Sequence, residues 1–294
     1  MSDHGRHSFH IFAAAALFST AGAAIKSTTL SSWQVAGLRA AFAAITVFLL
    51  LPETRRHLTR RAAAVGLAYA ATVILFVQAN KLTTAANAIF IQSTSPLYIL
   101  LLGPWFLKEK IRRRDIAFLF AIAAGVALFF VGLDAPVATA PDPWRGNLIA
   151  LGSGFACGLM MIGLRWLARE ERLSSASAVL IGNVMAALFC LPLALPFGSL
   201  RSIDLATVAY LGIFQIGVAY FFLTKAMTHV GALEAALLLF VEPVPSPLWA
   251  WLVHGERPGA WPLAGGGVIL GATLILTLID MRRGLRPPAE LAPS

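Results

Sequence analysis

Apolar runs of about 20 residues recur from one end of the chain to the other, separated by short polar or basic stretches. That rhythm predicts ten membrane-crossing helices, at residues 9–25, 33–52, 63–79, 85–107, 115–132, 145–167, 174–197, 206–227, 232–253 and 261–280. At 1.5 Å of rise per residue, a run of that length crosses a hydrocarbon core of about 30 Å. The connections are short except for 133–144, where Asp134, Pro136, Pro141, Asp142 and Pro143 mark a joint between two halves. The final stretch, 282–294, ends in PPAELAPS and reads as a disordered tail. Arg6, the first run and Ser19–Ala24 have the outline of a signal peptide. A matching segment at 145–167, and Lys26 at the far end, favour a retained helix instead.

One polar pattern interrupts the runs twice. Gln92, Ser93, Thr94 and Ser95 lead into Pro96, and an apolar stretch then closes at Glu109 among basic residues. Near the other end, VEPVPSPLWAWLVHGER (Val241–Arg257) has the same grammar, and each pattern sets its proline 13 positions before its glutamate, Pro96 to Glu109 and Pro243 to Glu256. That separation is roughly 20 Å along a helix, so a glutamate at the membrane surface puts its proline deep in the bilayer. Pro96 and Glu109 recur as Pro243 and Glu256, 147 positions later, and Arg39 and Pro52 correspond to Asn183 and Pro196, 144 later. Five runs per half is an odd number, so the second copy must be inverted relative to the first. Inverted repeats of this kind place a binding site between the halves, near the midplane.

Composition removes the soluble alternatives. The chain has 294 residues, 58% hydrophobic and only 13% charged, too few to clothe a soluble domain. Its net charge of +9 would suit nucleic acid, but the basic residues sit in short loops between apolar runs. Leaving Arg39 aside, 17 lysines and arginines fall on one side of the membrane and five on the other, which places both termini in the cytoplasm. Cys157 and Cys190 lie inside runs and form no disulfide framework. No nucleotide-binding loop, metal-ligand cluster or nucleophile elbow is visible, so neither cofactor nor catalysis is expected.

The candidate chemistry lies within the runs. Pro96 strips the Gln92 carbonyl of its helical partner, and Pro243, Pro245 and Pro247 push their neighbours out of helical angles, so both helices should break or kink. Irregular backbone at that depth is tolerated inside protein or along a water-filled cavity. Glu242, in an apolar run, must be protonated, paired or hydrated; it is read as a proton-titrating or ammonium-binding group, against a structural ion pair. Arg39 offers a rigid donor fork to a carboxylate, with a structural role as the stronger reading and a pairing with Glu242 left open. Tyr98, Ser95 and Gln92 on the fourth run, and Ser246 and Trp249 beside Glu242 on the ninth, are candidates to line a site. Asn183 and Gln215 are further candidates, weighed against ordinary helix-to-helix contact. Trp105 reads as an interfacial anchor, and Glu109 and Glu256 as loop anchors beside Lys110 and Arg257.

Leu38-Arg39, the run through Pro96 to Lys108-Glu109-Lys110, and its copy ending Gly255-Glu256-Arg257 resemble the drug/metabolite transporter superfamily, in its ten-helix branch with two EamA-type domains. The resemblance implies a basket of ten helices around a central cavity, in a bacterial inner membrane, exporting small metabolites such as amino acids. Its domains would be 1–132 and 145–281. Drugs, quaternary amines and nucleosides are alternative cargoes, and a membrane-embedded enzyme or a channel are alternative classes. The partners expected are the small-molecule substrate, the lipid bilayer and, if Glu242 titrates, protons.

Overall fold

The computed structural model describes residues 3–55, 58–106, 113–131, 135–170, 174–198, 200–227 and 242–284. Glu109, the first part of the ninth predicted run and the end of the tail lie outside the described residues. The first half comprises α1 (Asp3–Ser19), α2 (Ala21–Lys26), α3 (Ser32–Leu50), α4 (Arg60–Leu82), α5 (Ala85–Gln92), α6 (Ser95–Phe106) and α7 (Arg113–Val131). The second comprises α8 (Pro143–Glu170), α9 (Ser174–Leu193), α10 (Ser202–Tyr210), a π-helical stretch (Leu211–Val218), α11 (Ala219–Met227), α12 (Pro245–His254) and α13 (Ala260–Gly284). Among the described residues, eight stretches are long and apolar enough to cross a membrane, and Asp115–Val131 is a shorter apolar helix.

Local chemistry sets the helix starts. Ser31 accepts from the Gln34 amide while the Gln34 side chain accepts from Ser31, a capping box that opens α3. Thr59 and Thr84 cap α4 and α5 through their hydroxyls. The fourth run, expected as one span, is two helices: α5 ends at Gln92, the chain turns at Ser93–Thr94, and α6 resumes at Ser95. The cause is Pro96, which has no N–H to offer Gln92. On the second side Glu242–Val244 form a turn and Pro245 begins α12, while the part of that run before Glu242 lies outside the described residues.

Helix pairing exchanges the two halves. α4 lies along α8 and α1 along α11; α4 packs on α9 and α3 on the π-helical stretch; α7 lies against α13. The apolar core is continuous across the joint, with Ile25, Phe76, Phe90 and Phe129 meeting Val208, Leu211 and Ile269. Large apolar side chains such as Leu67, Phe120, Leu188 and Leu252 stay exposed around the outside, the surface a bilayer would cover. Small residues let backbones close up at the break. A Cβ on Gly154 would sit 3.2 Å from the Ile91 carbonyl and 3.3 Å from the Gln92 carbonyl, and one on Gly158 would sit 3.2 Å from the Ser95 carbonyl. α8 thus covers the irregular backbone with its own glycines.

Candidate functional site

Two polar bridges cross between the halves, each the other's counterpart. In one, Arg39 on α3 donates from Nη2 to Gln215 Oε1 on the π-helical stretch at 2.7 Å. In the other, Asn183 on α9 donates from Nδ2 to the Tyr69 hydroxyl on α4 at 3.1 Å, and also to the Val179 carbonyl at 2.9 Å. Arg39 and Asn183 are the residues the repeat relates by sequence, and each reaches the helix its mate's partner corresponds to. The bridges converge. Tyr69 and Tyr220 rings lie 5.9 Å apart, their hydroxyls interact, and both phenols are within electrostatic range of Arg39. Glu242, half-buried at the turn before α12, is within range of Arg39, Tyr220 and Cys157.

Arg39 is not saturated by these contacts. It is 5% exposed, yet its Nε and Nη1 have no hydrogen-bond partner among the described residues. Asn183 Oδ1 is likewise unpartnered. Buried N–H groups without acceptors are costly, and a cation in hydrocarbon more so, so Arg39 retains donors able to take a further acceptor. The π-helical turn around Gln215 matters here, because such turns widen the backbone and are frequent at functional sites.

The structure gathers Arg39, Asn183, Gln215 and Glu242 at this junction. The other candidates are arranged around it. Gln92 donates to Ser153 Oγ at 2.7 Å, and Ser153 passes a hydrogen bond to the Thr72 carbonyl. Ser95 meets Cys157. Tyr98 neighbours Thr94 and packs edge-on against Phe155, a ring that is 43% exposed, so it sits toward the rim of the helix pair. Ser246 is buried beneath Gly22 of α2, and Trp249 donates from Nε1 to Ser19 Oγ at 3.0 Å. Trp105 is 78% exposed, as an interfacial anchor would be. A cleft of about 240 Å³ is lined by Thr20, Ser27, Thr207 and Trp249.

Sequence reading missed Tyr69, Tyr220 and Ser153. A signal existed, since the chain has four tyrosines, all inside apolar runs, and a buried phenol normally needs a partner.

Comparison with known proteins agrees with the architecture. The EamA-like transporter family matches residues 8–131 and 144–278. The pseudopaline exporter CntI of Pseudomonas aeruginosa is 27% identical over 274 residues, covering 88% of this chain and 92% of the exporter. An uncharacterized transporter of Archaeoglobus fulgidus is 24% identical over 206 residues, covering 68% of this chain and 69% of its own. One protein crystal structure superposes with a TM-score of 0.63 at 19% identity, covering 95% of this chain and all of that one, which speaks for the fold alone. The chain is a multi-pass membrane protein that belongs to the EamA-like transporter family, within the drug/metabolite transporter superfamily.

Proposed function

We propose that the chain is a secondary transporter that exports small metabolites, amino acids or related compounds, by alternating access between the repeats 1–132 and 145–281. It works in a bacterial inner membrane with both termini in the cytoplasm, as the basic loops favour. The likeness to an exporter over nearly the whole chain supports the direction of transport. One observation carries the substrate class: the buried Arg39 guanidinium presents Nε and Nη1 unpartnered at the junction of the halves. Nη2 carries two hydrogens, and the one not given to Gln215 can act with Nε or with Nη1 to offer a planar carboxylate two parallel hydrogen bonds. Gln215 fixes the fork by holding Nη2, and Glu242 stands on the opposite repeat to meet an ammonium group. Proton exchange at Glu242 would then supply the coupling.

The test is ligand-dependent stabilisation of the purified protein, which follows mass action. Compounds bearing both a carboxylate and an amine raise the melting temperature with concentration, and Arg39→Lys loses the effect while remaining folded. Stabilisation by quaternary amines or nucleosides, with carboxylates silent, would overturn the assignment. Coupling is tested in proteoliposomes, where a pH gradient drives transport in the native protein and not in Glu242→Gln.

A further inference from the structure

At the end of the molecule opposite the termini, Lys26 Nζ lies 3.3 Å from Glu256 Oε1, with the two side chains 2% and 3% exposed. The sequence reads Glu256 as a loop anchor beside Arg257; the fold pairs it with Lys26, across the joint, and leaves Arg257 exposed. Lys26 also donates to the Thr83 carbonyl at 2.7 Å and to the Thr139 carbonyl. Both Glu256 oxygens accept from the Ala85 amide, at 3.3 and 3.2 Å, where α5 begins. Every one of these partners lies outside the repeat that carries Glu256. Two further contacts cross at the same end: His254 Nε2 meets the Ala23 carbonyl at 2.8 Å, and Asp204 accepts from the Thr29 amide and hydroxyl at 2.9 and 2.8 Å.

We propose that the Lys26–Glu256 ion pair is the latch that keeps the two repeats shut at this end, and that its parting opens the central junction to this side. The inference rests on the alternating-access reading and adds the residues that gate it. An ion pair suits the task better than an apolar plug. Closed and dry, it has its Coulomb attraction but has lost its hydration; opened, both charges regain water, so the two states stay near balance. The spacing of the repeated motif acquires a reason as well. Glu242–Val244 form a turn, α12 is a rigid rod of about 15 Å, and Glu256 sits at its far end, so a small rotation at the turn moves the latch. Gly255, at φ +65°, makes the turn that sends Glu256 back against Lys26.

The test reads thiol accessibility in a Cys157→Ser/Cys190→Ser background. Ser246→Cys is the reporter, 2% exposed and on the same rod below the latch. A membrane-impermeant maleimide is added to right-side-out and inside-out vesicles. Arg145→Cys, on the exposed start of α8, identifies which preparation presents the latch face. With the latch intact, Ser246→Cys reacts slowly from that face. Glu256→Gln, which keeps an acceptor for the Ala85 amide, and Lys26→Met should each raise that rate about tenfold, because a minor open state of about 0.1–10% has room to grow. An unchanged rate in Glu256→Gln that remains folded, or an equal rise from both faces, overturns the latch. If Ser246→Cys is reachable from the terminus-bearing face in such an experiment, the transport reading survives that failure; if neither face ever reaches it, both ideas fall.

Discussion

Gly212→Ala tests whether the packing of the second repeat on the first is what holds Arg39 in place. A Cβ at Gly212 would lie 2.4 Å from Phe42 Cβ, 2.6 Å from the Arg39 carbonyl oxygen and 3.0 Å from the Ala43 amide nitrogen. None of these is a flexible tip that can swing aside. Ordinary carbon contacts need about 3.5–4.0 Å, so α3 and the π-helical stretch must part by about 1 Å. Overpacking of that kind costs about 1–3 kcal/mol. Alanine's better helix propensity returns about 1 kcal/mol, and that gain must be separated out. Gly267→Ala does so, because nothing lies within 4 Å of its Cβ and it receives only the propensity gain. The difference between the two variants is therefore the steric cost itself. For a chain of this length it corresponds to a melting temperature about 2–5 °C lower in Gly212→Ala than in Gly267→Ala. The displacement also stretches the 2.7 Å Arg39–Gln215 bond, which spans the same two elements, so ligand-induced stabilisation should weaken alongside. Thermal unfolding of the purified variants, with and without ligand, reads both effects. Coincident melting of Gly212→Ala and Gly267→Ala would refute the steric reasoning.

Two further outcomes follow from single sites. Asn147 is fully buried, accepts from Thr83 Oγ1 at 2.8 Å and Asn87 Nδ2 at 3.2 Å, and donates to the Phe129 carbonyl at 3.1 Å. Asn147→Leu should cost about 2 kcal/mol, three bonds at the roughly 0.6 kcal/mol typical within membranes; a variant that melts with the native protein would remove the network from the account of stability. At Gly255, whose φ of +65° is left-handed, Gly255→Val should lower stability by about 1–2 kcal/mol while Gly255→Asn is tolerated. Equal melting of those two variants would show that the turn is not what constrains the position.

The spans were legible in the sequence because bilayer thickness fixes their length, and apolar runs alone satisfy it. The interruption at Pro96 was legible too, because a missing N–H is a local defect. So were Arg39, Asn183, Gln215 and Glu242, since a polar group inside an apolar run stands out whatever it touches. What these groups touch was not legible. Hydropathy gives the period of a helix but not its rotation within a bundle whose outer face is as apolar as its core. Gln92 reaches Ser153 and Asn183 reaches Tyr69, 114 positions away, only because α8 and α9 lie across α4 and α5. Lys26 meets Glu256 because the inverted copy carries its last short helix to the end of the molecule where the first run finishes. The sequence by itself determined that the chain is a duplicated, membrane-crossing helical protein with charges at costly depths. Only the tertiary structure decided which charge faces which, because pairing across hundreds of residues is set by how helices pack and not by any pattern along one of them.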